Sequence, residues 1–230
     1  MNSAEPNKED TVKQVVNTNQ KFGDRRGVFI ILTAIWVIMV GIGMSSLWNY
    51  QITPAEKTES PKQWPAYSLI KKNPARPTLV MFAHPRCPCT RASICELALL
   101  MTHCGEHVDA SVLFFTSPKF ETGWEKTDLW HSAAAIPGVT VACDPEGLEA
   151  KKFRSTTSGY VVLYDAKGQL MFQGGITGSR GHAGENVGRS LIEAILMNKT
   201  TGTKKAFVYG CPLLDQNDAS GKETQQCPQQ

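Results

Sequence analysis

Two of the seven cysteines in this 230-residue chain stand one residue apart, within His84-Pro85-Arg86-Cys87-Pro88-Cys89-Thr90. The thiolate is the nucleophilic and metal-binding form of cysteine, so the question is what would ionise one of these thiols. A short apolar run at 78–83 (TLVMFA) leads into the motif. A helical pattern follows it, with Ile94, Leu97, Ala98 and Met101 at i, i+3, i+4 and i+7. A helix N-terminus carries free N–H groups and partial positive charge, and both favour thiolate over thiol. Arg86 precedes Cys87 and Arg91 follows one turn later, so both add positive potential. Pro88 suits a first helical position because it has no N–H to lose. Cys87 is therefore read as the nucleophile. A disulfide across one intervening residue is strained and easily reduced, and Cys89 is expected to be the resolving thiol. Cys95 lies about two helical turns beyond Cys87 and is expected to be a core cysteine. Of the others, Cys211 could pair with Cys143 or Cys104, or be reached by Cys87 as a relay. Cys227 completes an odd set that cannot all pair within one chain.

The elements that must position this motif alternate along the chain. The run at 78–83 suits a buried strand, and the helix after Cys89 should end near Gly105. A second strand is expected at 110–116, helix at 128–136, a short strand at 139–142 and helix at 146–153. Residues 160–164 and 169–172 read as a hairpin around the polar turn Asp165-Ala166-Lys167-Gly168. A glycine-rich stretch, GGITGSRGHAGEN at 174–186, precedes a helix at about 187–197. This is the pattern of an α/β domain.

Outside that domain, no charged residue occurs between Arg26 and Glu56. Residues 28–48 are almost wholly apolar and as a helix would span about 31 Å, enough for a bilayer core. Trp48 and Tyr50 stand at the far end, where amphipathic rings prefer the interface. Lys8, Lys13, Lys21, Arg25 and Arg26 crowd the near end, which predicts a cytoplasmic N-terminus and an exported domain. The expected organisation is a cytoplasmic, disordered tail at 1–26, a single-span anchor at 27–49, a proline-rich tether at 50–75, the folded domain at 76–200 and a C-terminal extension at 201–230. Within that extension, residues 206–214 (AFVYGCPLL) form an apolar patch able to pack back. The formal charge of +3, with basic residues scattered, excludes a nucleic-acid binder. GGITGSRG lacks both the Walker and the dinucleotide spacing, which excludes a nucleotide site.

The strand TLVMFA, the motif HPRCPCT opening a helix, DPEGLEAKKF, and the hairpin YVVLYDAKGQLMFQGG before a last helix resemble the thioredoxin-like superfamily over about residues 76–200. FAHPRCPCTR and GGITGSRGHAGEN are most similar to membrane-anchored thioredoxin-like proteins labelled RedB. The resemblance implies a thioredoxin-like fold, a central mixed sheet flanked by helices. It also implies thiol–disulfide exchange on a protein partner, from the periplasmic side of an inner membrane and with no cofactor. The pattern departs from the superfamily twice: Thr90 stands where the second cysteine of Cys-x-x-Cys would be, and residues 155–159 (STTSG) lack the proline expected before the hairpin. The resemblance places residues 174–186 beside the active cysteine, so that Arg180 would favour the thiolate and His182 would manage protons. It also implies an alternative, Cu(I) binding by Cys87, Cys89 and His182, since soft thiolates and imidazole suit that ion. A non-catalytic binding module is a third reading.

Overall fold

The computed structural model describes residues 8–200 and 202–213, with side chains from residue 26 onward. Cys227, the first seven residues and the stretch after Asp215 lie outside the described residues. The chain divides into two compact units, residues 1–50 and residues 51–230.

The first unit is built on helix α1, Lys8–Ile52. Its segment Arg26–Ile52 has a mean hydropathy of 2.5 and is long and apolar enough to cross a membrane. The disordered tail expected up to residue 26 is replaced by helix from Lys8 onward. Residues 8–22 contain neither Pro nor Gly, and adding a residue to an existing helix costs far less than nucleating one.

The second unit is a six-stranded mixed sheet in the order β3-β2-β1-β4-β5-β6. Strand β1 (Thr78–Ala83) lies inside it, parallel to β2 (Asp109–Thr116) and antiparallel to β4 (Tyr160–Tyr164). Beyond β2 runs the parallel β3 (Val139–Pro145). Beyond β4 runs the antiparallel β5 (Leu170–Gly175), followed by the short parallel β6 (Lys204–Lys205). All six residues of β1 are buried, because helices or packed chain cover both faces. Alternation divides them: Leu79, Met81 and Ala83 join one cluster with Leu97, Phe114 and Ile192, while Val80 and Phe82 join another with Phe153, Tyr160 and Tyr164.

Among the described residues, four α-helices complete the unit: α2 (Pro88–Cys104), α3 (Asp128–Ala134), α4 (Leu148–Lys152) and α5 (Val187–Leu196). The apolar stripe foreseen on α2 is its core face, since Ile94, Leu97 and Met101 are buried with Ala98 packed beside them. Cys95, expected in the core, is exposed. It sits next to Ile94 on the helix and is carried about 100° around from it, out of the stripe.

Two segments that the sequence reading set apart from the domain pack onto it. In the expected tether, Trp64 meets the rings of Phe153 and Tyr164 edge-on, at 5.1 and 5.2 Å between centroids. Ser60 is buried and donates to the Phe153 carbonyl at 2.9 Å, and the Tyr164 hydroxyl donates to the Pro61 carbonyl at 2.7 Å. Burial of the indole outweighs the ordering of a proline-rich chain that has little conformational freedom to lose. The supposed extension contributes β6 and continues along β5: Ala206 N donates to Gln173 O at 3.1 Å and Gly175 N to Phe207 O at 3.2 Å. Val208 and Leu213 are buried in the second cluster.

Candidate functional site

Strand β1 ends at Ala83, and the chain turns through His84-Pro85-Arg86 before α2 begins. Cys87 is the N-cap of α2, with φ −87° and ψ 120°, and Pro88 occupies the first helical position. The turn is closed by Cys87 N donating to the His84 carbonyl at 3.2 Å and Thr90 N donating to the Cys87 carbonyl at 3.0 Å. A cap residue with extended backbone aims its side chain across the helix end, so the Cys87 sulfur lies where the helix dipole favours negative charge. Cys87 as a residue is only 2% exposed and Cys89 only 7%.

A third sulfur joins them. Cys211 Sγ lies 2.9 Å from Cys87 Sγ, across 124 residues of sequence. The sulfurs of Cys87, Cys89 and Cys211 all lie within 4.8 Å of one another. Backbone pairing delivers Cys211 to this point. Ser158 N donates to the Cys211 carbonyl at 2.9 Å, Leu213 N donates to the Thr156 carbonyl at 2.8 Å, and Thr157 and Pro212 form an antiparallel bridge. Gly210 is what allows so close an approach, because a Cβ there would lie 1.9 Å from the Ser158 carbonyl oxygen. The Arg180 guanidinium donates to the Gly210 carbonyl and clamps the same segment from the other side.

The three thiols share protons unequally. Cys87 is held well below the usual thiol range, because its hydrogen bonding with Cys211 and then with Cys89 favours the charged sulfur and outweighs burial. Cys211 is driven far upward by its hydrogen bonding with Cys87 and then Cys89, and burial adds to the shift. For Cys89 the Cys211 hydrogen bond favours the thiolate, but the hydrogen bond with Cys87, burial and the Cys87 charge prevail, so it rises. The Arg180 charge opposes that rise. Of the three sulfurs, the one at the helix N-cap is thus the one whose charged form is favoured.

The two departures from the superfamily pattern touch each other. Thr90 Oγ1 lies 2.6 Å from Ser158 Oγ and donates to the His84 carbonyl at 3.2 Å, while His84 N donates to Ser158 Oγ at 2.8 Å. Thr90 and Ser158 are fully buried. A closed hydroxyl network therefore pins the cysteine loop to the turn before β4, with Thr90 supplying structure where a second thiol was expected.

The remaining residues singled out from sequence divide. Arg180 is at the centre, as described. Arg91 is exposed and ion-paired with Asp128, so its charge serves that carboxylate at the surface. Arg86 is exposed too and lies over the Trp124 ring, 5.1 Å from its centroid. His182 is exposed, and its Nδ1 hydrogen-bonds the Arg180 carbonyl at 2.8 Å. A tight turn is bridged between Ser179 and His182, and the ring is not part of the sulfur cluster. Among the described residues, the group of potential metal ligands at this site is Cys87, Cys89 and Cys211, with no imidazole.

One anchoring residue escaped sequence reasoning. Glu96, fully buried on α2, accepts hydrogen bonds from Gly184 N at 2.6 Å and Asn186 Nδ2 at 2.9 Å and pairs with Arg189 at 2.8 Å. It fixes the far end of the glycine segment to the helix that carries the cysteines. The available signal was a carboxylate directly beside Leu97 on the apolar stripe, which a buried position tolerates only when paired.

No family model and no curated protein matches the chain. Among solved structures, it is similar to a hypothetical protein of Sinorhizobium meliloti 1021, at 18% identity and a TM-score of 0.52, over 70% of this chain and 97% of that one. It is also similar to an uncharacterized conserved protein of Geobacillus kaustophilus, at 16% identity and a TM-score of 0.52, over 71% and 89%. A secreted Mycobacterium tuberculosis disulfide oxidoreductase homologous to E. coli DsbE aligns at 12% identity and a TM-score of 0.37, over 54% and 81%. The fold is thioredoxin-like. In this thioredoxin-like domain Cys87 caps the helix after β1, and the third sulfur arrives on a segment beyond α5.

Proposed function

We propose that this protein is an extracytoplasmic thiol–disulfide oxidoreductase held to a membrane by α1, in which Cys87 attacks and Cys211 resolves. The observation that carries the reading is the 2.9 Å approach of Cys211 Sγ to the sulfur at the α2 N-cap. Cys87 thiolate attacks one sulfur of a partner disulfide, forms a mixed disulfide, and expels the other partner sulfur as thiolate. Cys211 then gives up its proton to the departing partner and attacks the Cys87 sulfur. A Cys87–Cys211 disulfide forms, and the partner leaves with one thiol and one thiolate, which takes a proton from solvent, reduced by two electrons. A second dithiol protein restores the centre by the same exchange in reverse.

Proximity favours Cys211 over Cys89 as resolver. Cys89 is one residue from Pro88 in the first turn of a helix, where a bond to Cys87 would close a strained ring. Cys89 instead donates to the attacking sulfur, and Arg180 positions the Cys211 segment through Gly210. The positive charge clustered before the apolar span supports an N-terminus in the cytoplasm and the domain in a periplasm-like space. The compartment is compatible with disulfide chemistry.

The test is trapping in cells. Cys211→Ser should accumulate mixed disulfides through Cys87 with one or a few proteins, identified by mass spectrometry, while Cys87→Ser traps none. Accumulation in Cys89→Ser instead would transfer the resolving role to Cys89. Trapping in neither variant would remove the exchange reading.

A further inference from the structure

The same three sulfurs have a second chemical capacity that requires no partner disulfide. We propose that the reduced centre binds one Cu(I) ion through Sγ of Cys87, Cys89 and Cys211. Three sulfurs about 2.3 Å from a central ion would lie about 4 Å apart in a trigonal plane. The three sulfurs here lie within 4.8 Å of one another, and the Cys87–Cys211 pair, at 2.9 Å, must open by about 1 Å. Small rotations about the two Cα–Cβ bonds supply that.

The donor set selects the ion. Thiolates are soft ligands and favour Cu(I). Structural zinc takes four ligands, and no histidine or carboxylate completes this group among the described residues. Hard cations such as Mg²⁺ and Ca²⁺ require oxygen donors, which the cluster lacks. Three thiolates with one Cu(I) carry a net charge of minus two, costly to bury without compensation. Compensation is present: the N-terminus of the 17-residue helix α2 faces the cluster, and the Arg180 charge acts on Cys89. Cys87 and Cys89 are buried while Cys211 is half-buried, so the ion would be shielded on two sides and reachable from the third. Binding displaces thiol protons to solvent and changes no oxidation state.

Cys211 separates this site from one built on the Cys87–Cys89 pair with His182, because that imidazole points to solvent. The experiment uses the full-length chain in detergent, reduced and free of oxygen, titrated with Cu(I) against the chromophoric chelator bicinchoninate. One ion per chain should be retained, X-ray absorption should count three sulfur neighbours, and Cys211→Ser should weaken retention by at least about tenfold. Cys95→Ser and His182→Ala, both at exposed positions, should leave retention unchanged. Equal retention by Cys211→Ser, loss in His182→Ala, a two-sulfur site or no retained copper would each overturn the proposal. Should Cys211→Ser fail to fold, as judged by circular dichroism, the sulfur count in the unaltered protein decides alone. Disulfide exchange is assayed without copper, so either activity can fail while the other stands.

Discussion

At the N-terminus of α2 three sulfurs converge beneath a strap of backbone, whereas the glycine segment 174–186 turns its histidine to solvent. Both regions looked chemically equipped in the sequence. The difference lies in what holds them. The cysteine centre is assembled by main-chain hydrogen bonds on both sides of Cys211, together with a glycine that admits contact. The glycine segment is pinned at its far end by buried Glu96, and this fixes the loop without aiming the His182 ring inward. Ionisable side chains near a site in sequence are weaker guides than backbone groups needing partners, because every buried N–H and C=O must be satisfied.

The comparison can be broken most sharply at its nucleophile. Cys87→Ser should lower exchange with a model disulfide by at least about a thousandfold, read as the rate of partner-thiol release. On the other side of the comparison, Glu96→Ala removes the fully buried carboxylate shared by Arg189, Gly184 and Asn186, leaves Arg189 only its longer contact with Glu193, and should cost about 3–5 kcal/mol of stability, measured by chemical denaturation of the reduced protein. Exchange by the fraction still folded should persist, because the sulfurs are held by other bonds. Gly210→Ala tests the strap. Its methyl would force the segment off Ser158, and the Cys87–Cys211 disulfide should form about a hundredfold more slowly, read by alkylation and mass spectrometry. Unchanged disulfide formation would mean that main-chain pairing is not what presents Cys211.

Two smaller effects sharpen the contrast. The Cys87 thiol is lowered, so its thiolate persists as pH falls below the ordinary value of about 8.5. Iodoacetamide labelling of Cys87 in the reduced protein should therefore continue at neutral pH, whereas Cys104, raised by burial, should react only in more alkaline solution. His182→Ala should change exchange by no more than about twofold, and a larger loss would return that ring to the centre.

The strand, the cysteine and the helix were legible because they are local: an apolar run of six residues, a proline at the first helical position, and a stripe at helical spacing. Cys211 was visible only as an apolar patch around Cys-Pro in a polar stretch, with its partner left open among Cys87, Cys104 and Cys143. Its approach to Cys87 spans 124 residues of sequence and depends on backbone bonds to the turn at Ser158, and no periodicity encodes that. Trp64 misled in the opposite direction. Surrounded by prolines, it read as spacer, although an indole in a spacer is itself a sign of a surface to cover.

The strap also governs timing. Buried as it is, Cys87 can meet a bulky partner only after residues 206–213 detach, at least in part, from β5 and the turn before β4. Such local unfastening has its own frequency, set by the handful of bonds that must break together. At saturating partner, the reaction would run no faster than the strap lifts, so encounter rates would level off with concentration while small alkylating reagents escaped that ceiling.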